Sequence, residues 1–90
     1  MRDYANFPPL DLFERVLQSS PQSALLYVSL WKLRPKTNRI SIKRRDVKRN
    51  FLISPTLLRN HLLSLGRLEL VSFEETTDFF VIDFYENDET

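Results

Sequence analysis

DVKRNFLISPTLLRNHLLSLGRLELV, residues 46–71, is the stretch whose reading decides the fold. Val47 and Phe51 lie four apart and share one face of a short helix. Ile53 follows in a turn. Ser54 then suits an N-cap, because its hydroxyl can accept a backbone N–H. Pro55 suits the first helical position, where no N–H is needed. Leu58, Leu62 and Leu65 recur at i, i+4 and i+7, the spacing of a buried stripe. At about 100° per residue the opposite face carries Thr56, Arg59, Asn60, Leu63 and Arg67, with Ser64 at its edge. Gly66, the single glycine of the chain, falls near the end of this second helix, where a fraying end or a C-cap is expected. The stretch therefore reads as short helix, tight turn, longer helix and the first strand of a hairpin.

Upstream, residues 1–7 lack periodicity and read as an arm. Pro8-Pro9 open an amphipathic helix over about 9–19, with Leu10, Leu12, Phe13, Val16 and Leu17 on one face and Asp11, Glu14, Arg15 and Gln18 on the other. This helix either lids the core or serves dimerisation. Ser20 as N-cap and Pro21 at the first position start the next helix, 21–33. Its residues Ala24, Leu25, Leu26, Tyr27, Val28, Leu30, Trp31 and Leu33 leave it apolar nearly all round, as in a central strut covered on two sides. Tyr27 and Trp31, four apart, are placed to stack on each other or on the first helix. Residues 34–39 form a polar connection, and the alternation Ile40-Ser41-Ile42 predicts a brief strand, 40–42.

Downstream, residues 68–75 and 79–85 are two strand-like runs joined by Thr76-Thr77-Asp78, a hairpin over 68–85 whose loop has no glycine. Parity puts Phe80, Ile82 and Phe84 in the core and leaves Phe79, Val81 and Tyr85 as an apolar strip on the outer face. The first helix or a second copy would cover that strip. Residues 86–90 form an acidic tail, expected to fray.

Ninety residues with 42% hydrophobic and 12% aromatic content suit one globular domain with one core. The absence of cysteine excludes disulfides and thiolate metal sites. No apolar run approaches the ~20 residues of a membrane span, and the N-terminus lacks a secretory pattern, so a cytoplasmic location is the expectation. The net charge of +1 conceals a strong asymmetry. Residues 32–49 hold nine lysines and arginines against one acid, whereas residues 68–90 hold eight acids and no lysine or arginine. Such a field turns the middle of the molecule toward a polyanion.

The spacing of 46–71 resembles the helix-turn-helix of bacterial and phage winged-helix DNA-binding proteins, of regulator or replication-factor type. The order helix, strand, helix, turn, helix, hairpin, preceded by the N-terminal helix, also fits that family. Residues 25–47, LLYVSLWKLRPKTNRISIKRRDV, are similar to the opening of winged-helix modules in phage and plasmid replication proteins. Leu52 stands where the family commonly has the glycine of the turn, and Glu69 where it commonly has a further glycine. The resemblance implies an α+β, mostly helical fold: a winged helix-turn-helix (44–66, wing 68–85) with an extra N-terminal helix and a three-stranded antiparallel sheet. It implies double-stranded DNA as partner and a homodimer, associated with the nucleoid, acting in transcription regulation or in replication or partition of a mobile element.

Side-chain chemistry gives that function a mechanism. A recognition helix must present hydrogen-bonding groups to base edges in a major groove ~12 Å wide. Arg59 suits guanine and Asn60 adenine; Thr56, Leu63, Ser64 and Arg67 complete the base-reading set. Lys36, Arg39, Lys43, Arg44, Arg45, Lys48 and Arg49 are the phosphate set, which positions without reading sequence. The acidic hairpin would be repelled by phosphate and stay off DNA. His61, the only histidine, reads as a half-buried spacer. Without a nucleophile motif, a phosphate loop or a metal-ligand spacing, no catalytic residue, metal or cofactor is expected, and the chain is not read as an enzyme. The alternative is a winged helix that docks a basic protein partner on its acidic hairpin at Glu74, Glu75 and Asp78.

Overall fold

A computed structural model describes residues 7–85. The expected acidic tail, 86–90, and most of the expected arm lie outside the described residues. The order is α1 (Leu10–Ser19), a 3-10 turn (Pro21–Ser23), α2 (Ala24–Leu33), β1 (Arg39–Lys43), a second 3-10 turn (Arg44–Asp46), α3 (Val47–Phe51), α4 (Pro55–Arg67), β2 (Val71–Glu75) and β3 (Phe79–Phe84). Among the described residues the fold is α+β, with four helices and one three-stranded antiparallel sheet in the order β1-β3-β2. Among the described residues, no helix is long and apolar enough to cross a membrane.

The α3–turn–α4 unit forms as its spacing dictates. Val47, Leu58, Leu62 and Leu65 are fully buried, and Phe51 and Ile53 pack beside them. Ser54 caps α4, its Oγ accepting the N–H of Leu57 at 3.1 Å, and Pro55 takes the first position. The turn opens with Leu52 in the left-handed region, φ 63°, its N–H donating to the Lys48 carbonyl at 2.8 Å. Gly66 lies near the end of α4, as expected, but within the helix rather than at its cap. Glu69 instead takes the left-handed position, φ 62°. Its N–H reaches the Gly66 carbonyl at 2.9 Å, and that of Leu70 reaches the Leu65 carbonyl at 3.1 Å. This is a Schellman termination, and burial of both Leu65 and Leu70 adds the apolar contact that accompanies it.

The two N-terminal helices are less covered than their composition suggests. In α1 Val16 is buried and Leu12 and Phe13 are half-buried, but Leu10 and Leu17 are exposed. In α2 Ala24, Leu26, Tyr27 and Leu30 are buried, while Leu25 is 82% exposed and Leu33 is open too. The strut expected to be covered on two sides is thus corrected to a helix that leaves the Leu25 and Leu33 side open. Ser20 does not cap α2 through its hydroxyl: its carbonyl accepts the Ser23 N–H at 2.8 Å, and a 3-10 turn intervenes before Ala24. Tyr27 and Trp31 meet edge to face at 6.0 Å, Trp31 meets Phe84 at 5.5 Å, and Arg34 covers the Trp31 ring at 4.0 Å. Burial pushes the Tyr27 hydroxyl up to about 12.

Strand parity sorts the sheet into two faces. Register pairs Ile40 with Ile82, Ile42 with Phe80, Val71 with Phe84 and Glu75 with Phe80. Opposed residues share a face, so Val71, Phe73 and Glu75 point inward with Phe80, Ile82 and Phe84. Phe80, Ile82 and Phe84 are buried, as their alternation requires. The outer face carries Phe79, Val81 and Tyr85, interrupted by the Arg39–Asp83 ion pair at 2.7 Å. The outer strip is therefore partly polar, and α1 packs along α2 and the first 3-10 turn instead. The hairpin closes without glycine because the Thr76 Oγ1 accepts the Phe79 N–H at 3.0 Å.

Candidate nucleic-acid interface

The exposed side of α4 is set by its buried side. With Leu58, Leu62 and Leu65 in the core, Thr56, Asn60, Leu63 and Arg67 form an exposed stripe at i, i+4, i+7 and i+11. Ser64 is half-buried at its edge. Leu63 is 45% exposed and borders a shallow groove shared with Phe73 of β2 and with Tyr85.

Arg59 differs from the rest of the base-reading set. It is half-buried, with Nε and Nη2 donating to the two oxygens of Glu75 at 2.6 and 2.9 Å. Arg44 binds the same carboxylate and stands 5.6 Å from the Phe80 ring centroid. The hydrogen bonds of Arg59, then Arg44, hold the Glu75 carboxyl down at about 2, and the Arg59 guanidinium is raised in turn. Glu75 is inward by register, so it joins the turn before α3, α4 and β2 from the core side. Arg59, expected to read guanine, is thus tied to Glu75 rather than projecting from the fold, and Glu75 is not a solvated wing charge.

The phosphate set divides in the same way. Arg39 is held by Asp83, with a second contact at 3.3 Å, and Arg49 by Asp46 at 2.9 Å. Lys36, Lys43, Arg45 and Lys48 are exposed and make no ion pair among the described residues. Lys43, Arg45 and Lys48 flank the path from β1 into α3. His61 is half-buried, its Nδ1 at 2.7 Å from the buried Ser23 Oγ; burial lowers its pKa, and the contact ties α4 to the first 3-10 turn.

One feature escaped the sequence reading. A cleft of about 550 Å³ brings Lys43 and Arg45 together with Thr77, Asp78 and Phe79 of the hairpin tip and Pro55 of α4. The Arg44 N–H donates to the Asp78 carbonyl at 2.8 Å and holds the tip against the turn before α3. Lys43 pairs with Phe79 in register, so the cation and the ring are side by side on the outer face. Strand parity of the two runs was the available signal. No protein-family model, curated protein or solved structure matches this chain.

Proposed function

We propose that the protein is a winged helix-turn-helix that binds double-stranded DNA through α4 and the basic segment before it. The observation that carries this reading is the adjoining of two unpartnered features. The stripe Thr56–Asn60–Leu63–Arg67 stands exposed on a capped helix after a left-handed turn, and Lys43, Arg45 and Lys48, in the segment before it, are exposed and make no ion pair among the described residues. Asn60 is the adenine reader, Thr56 and Arg67 reach bases or phosphates, and Leu63 meets a thymine methyl. Lys43, Arg45 and Lys48 neutralise phosphates. A homodimer on two half-sites would enlarge the footprint of so small a module. Regulation of transcription, or replication or partition of a mobile element, in a nucleoid-associated cytoplasmic setting, is the role this binding would serve.

The rival, docking of a basic protein on the acidic hairpin, has less support, because Glu75 is committed to Arg44 and Arg59. Fluorescence anisotropy on random-sequence duplex DNA tests the proposal. Affinity should fall with salt by about 0.9 log units per phosphate neutralised. Lys48→Ala should weaken all sequences alike and lower that slope by about 0.9. Asn60→Ala should relax sequence preference instead. Absence of duplex binding at low salt would overturn the proposal.

A further inference from the structure

The geometry points to a second binding site, the cleft between the basic turn and the hairpin tip, which takes one unpaired nucleotide. The duplex reading shares Lys43 and Arg45 with this cleft but assigns the hairpin no role, and the hairpin part of the site does not depend on that reading.

The cleft's contents select the ligand chemistry. Two exposed cations without an ion-pair partner among the described residues, Lys43 and Arg45, supply a phosphate contact. Phe79 is 37% exposed although it is a large aromatic residue in a strand, and it lies opposite Lys43 in register. An open ring beside a cation is a stacking platform for a base whose phosphate lies within reach of the charge. Asp78 shares the cleft, and a carboxylate there disfavours a simple inorganic anion. It suits the amino edge of cytosine, adenine or guanine, to which it can act as acceptor. A cleft of about 550 Å³ has room for a nucleotide. A base inside a duplex is stacked on both faces and cannot lie on Phe79, so the nucleotide is an unpaired one: at a strand end, in a single strand, or free.

The test follows backbone ¹H–¹⁵N resonances of the full chain during titration with oligo-dC hexanucleotide, AMP and inorganic phosphate, with a blunt duplex alongside. We expect saturable shifts at Lys43–Arg45 and Thr77–Phe79 with the hexanucleotide. Tighter binding of the hexanucleotide than of AMP assigns the site to a strand; equal affinity assigns it to a free nucleotide, and either result upholds the site. Phe79→Ser should weaken hexanucleotide binding about tenfold or more, and Phe79→Tyr should preserve it. Arg45→Gln changes an exposed residue without a partner and guards against a folding defect at Phe79; it should also weaken binding. Unmoved cleft resonances with the hexanucleotide, or equal shifts with inorganic phosphate alone, would overturn the proposal. Duplex binding that shifts α4, with Thr77–Phe79 unmoved by the hexanucleotide, would uphold the duplex reading and overturn this one. Cleft shifts without duplex binding would do the reverse.

Discussion

At the scale of single residues, two left-handed backbone positions beside α4 are held by side chains that gain little from being there. Leu52 and Glu69 sit at φ 63° and 62°, where an L residue costs about 1–2 kcal/mol. Leu52 is also 85% exposed, so burial does not offset that cost. Gly66, by contrast, occupies helical backbone, and a Cβ there would meet the Val71 carbonyl oxygen at 3.5 Å, an ordinary contact. Moving the glycine is therefore favourable at both ends of the exchange. Leu52→Gly should gain about 0.5–1 kcal/mol after the unfolded chain's added entropy is deducted. Gly66→Ala should gain a similar amount, about 0.5–1 kcal/mol. Urea unfolding of the single and double variants checks both values. The two sites are on different helices, so their gains should add. A loss of stability in Leu52→Gly would show that the leucine side chain contributes more than its left-handed backbone costs.

At the scale of elements, the α3–turn–α4 unit separates residues that hold the fold from residues free to bind. Leu62 is fully buried and Leu63, its neighbour, is 45% exposed. Leu62→Ala should cost about 2–5 kcal/mol, the range for a buried leucine. Leu63→Ala should stay within about 0.5 kcal/mol, as surface changes do, and its effect should appear in sequence preference on duplex DNA. Thermal melts and anisotropy on the same pair of variants measure the contrast. This division was legible because periodicity belongs to the helix itself: Ser54, Leu58, Leu62 and Leu65 needed no partner to be read. The inward set Phe80, Ile82 and Phe84 was legible from strand alternation in the same way, whereas the three-stranded sheet was an expectation from the resemblance. What was hidden depends on pairs distant in sequence. Arg59 and Glu75 are 16 apart and Arg44 and Glu75 are 31 apart. Their meeting requires a register that the sequence does not print. Glu75 nevertheless shares parity with Val71 and Phe73, and an inward acid calls for a cation. The one-sided burial of α2 was hidden for a simpler reason, since apolar composition states what a helix can bury and not how much surface the rest of a small domain can cover it with.

At the scale of the whole molecule, charge is segregated along the chain and partly reunited by the fold. Residues 32–49 are basic and residues 68–85 acidic, and the Glu75 carboxylate binds one arginine from the basic run and one from α4. Folding thus withholds two arginines from any polyanion and uses them to knit the turn before α3, α4 and β2 together. Glu75 has its carboxyl depressed from 4.5 to about 2 in the fold. The folded state is therefore favoured by the ionised form. That stability is present above the unfolded value of 4.5 and is lost as pH falls from there toward about 2. Glu75→Gln removes the charge at every pH. The variant should be less stable than the parent at pH 7, and its stability should lose part of its dependence on pH between 4.5 and 2. The same substitution releases Arg44 and Arg59 toward solvent. If α4 lies on duplex DNA, non-specific affinity should then rise, and the salt slope should steepen by as much as about 1.8 log units, two phosphates' worth. Chemical unfolding across pH 2–7 and anisotropy at several salt concentrations read the two effects separately. A Glu75→Gln protein with unchanged acid stability would show that the carboxylate is not bound as described. One with altered acid stability and an unchanged salt slope would show that Arg44 and Arg59 stay out of reach of phosphate even when freed.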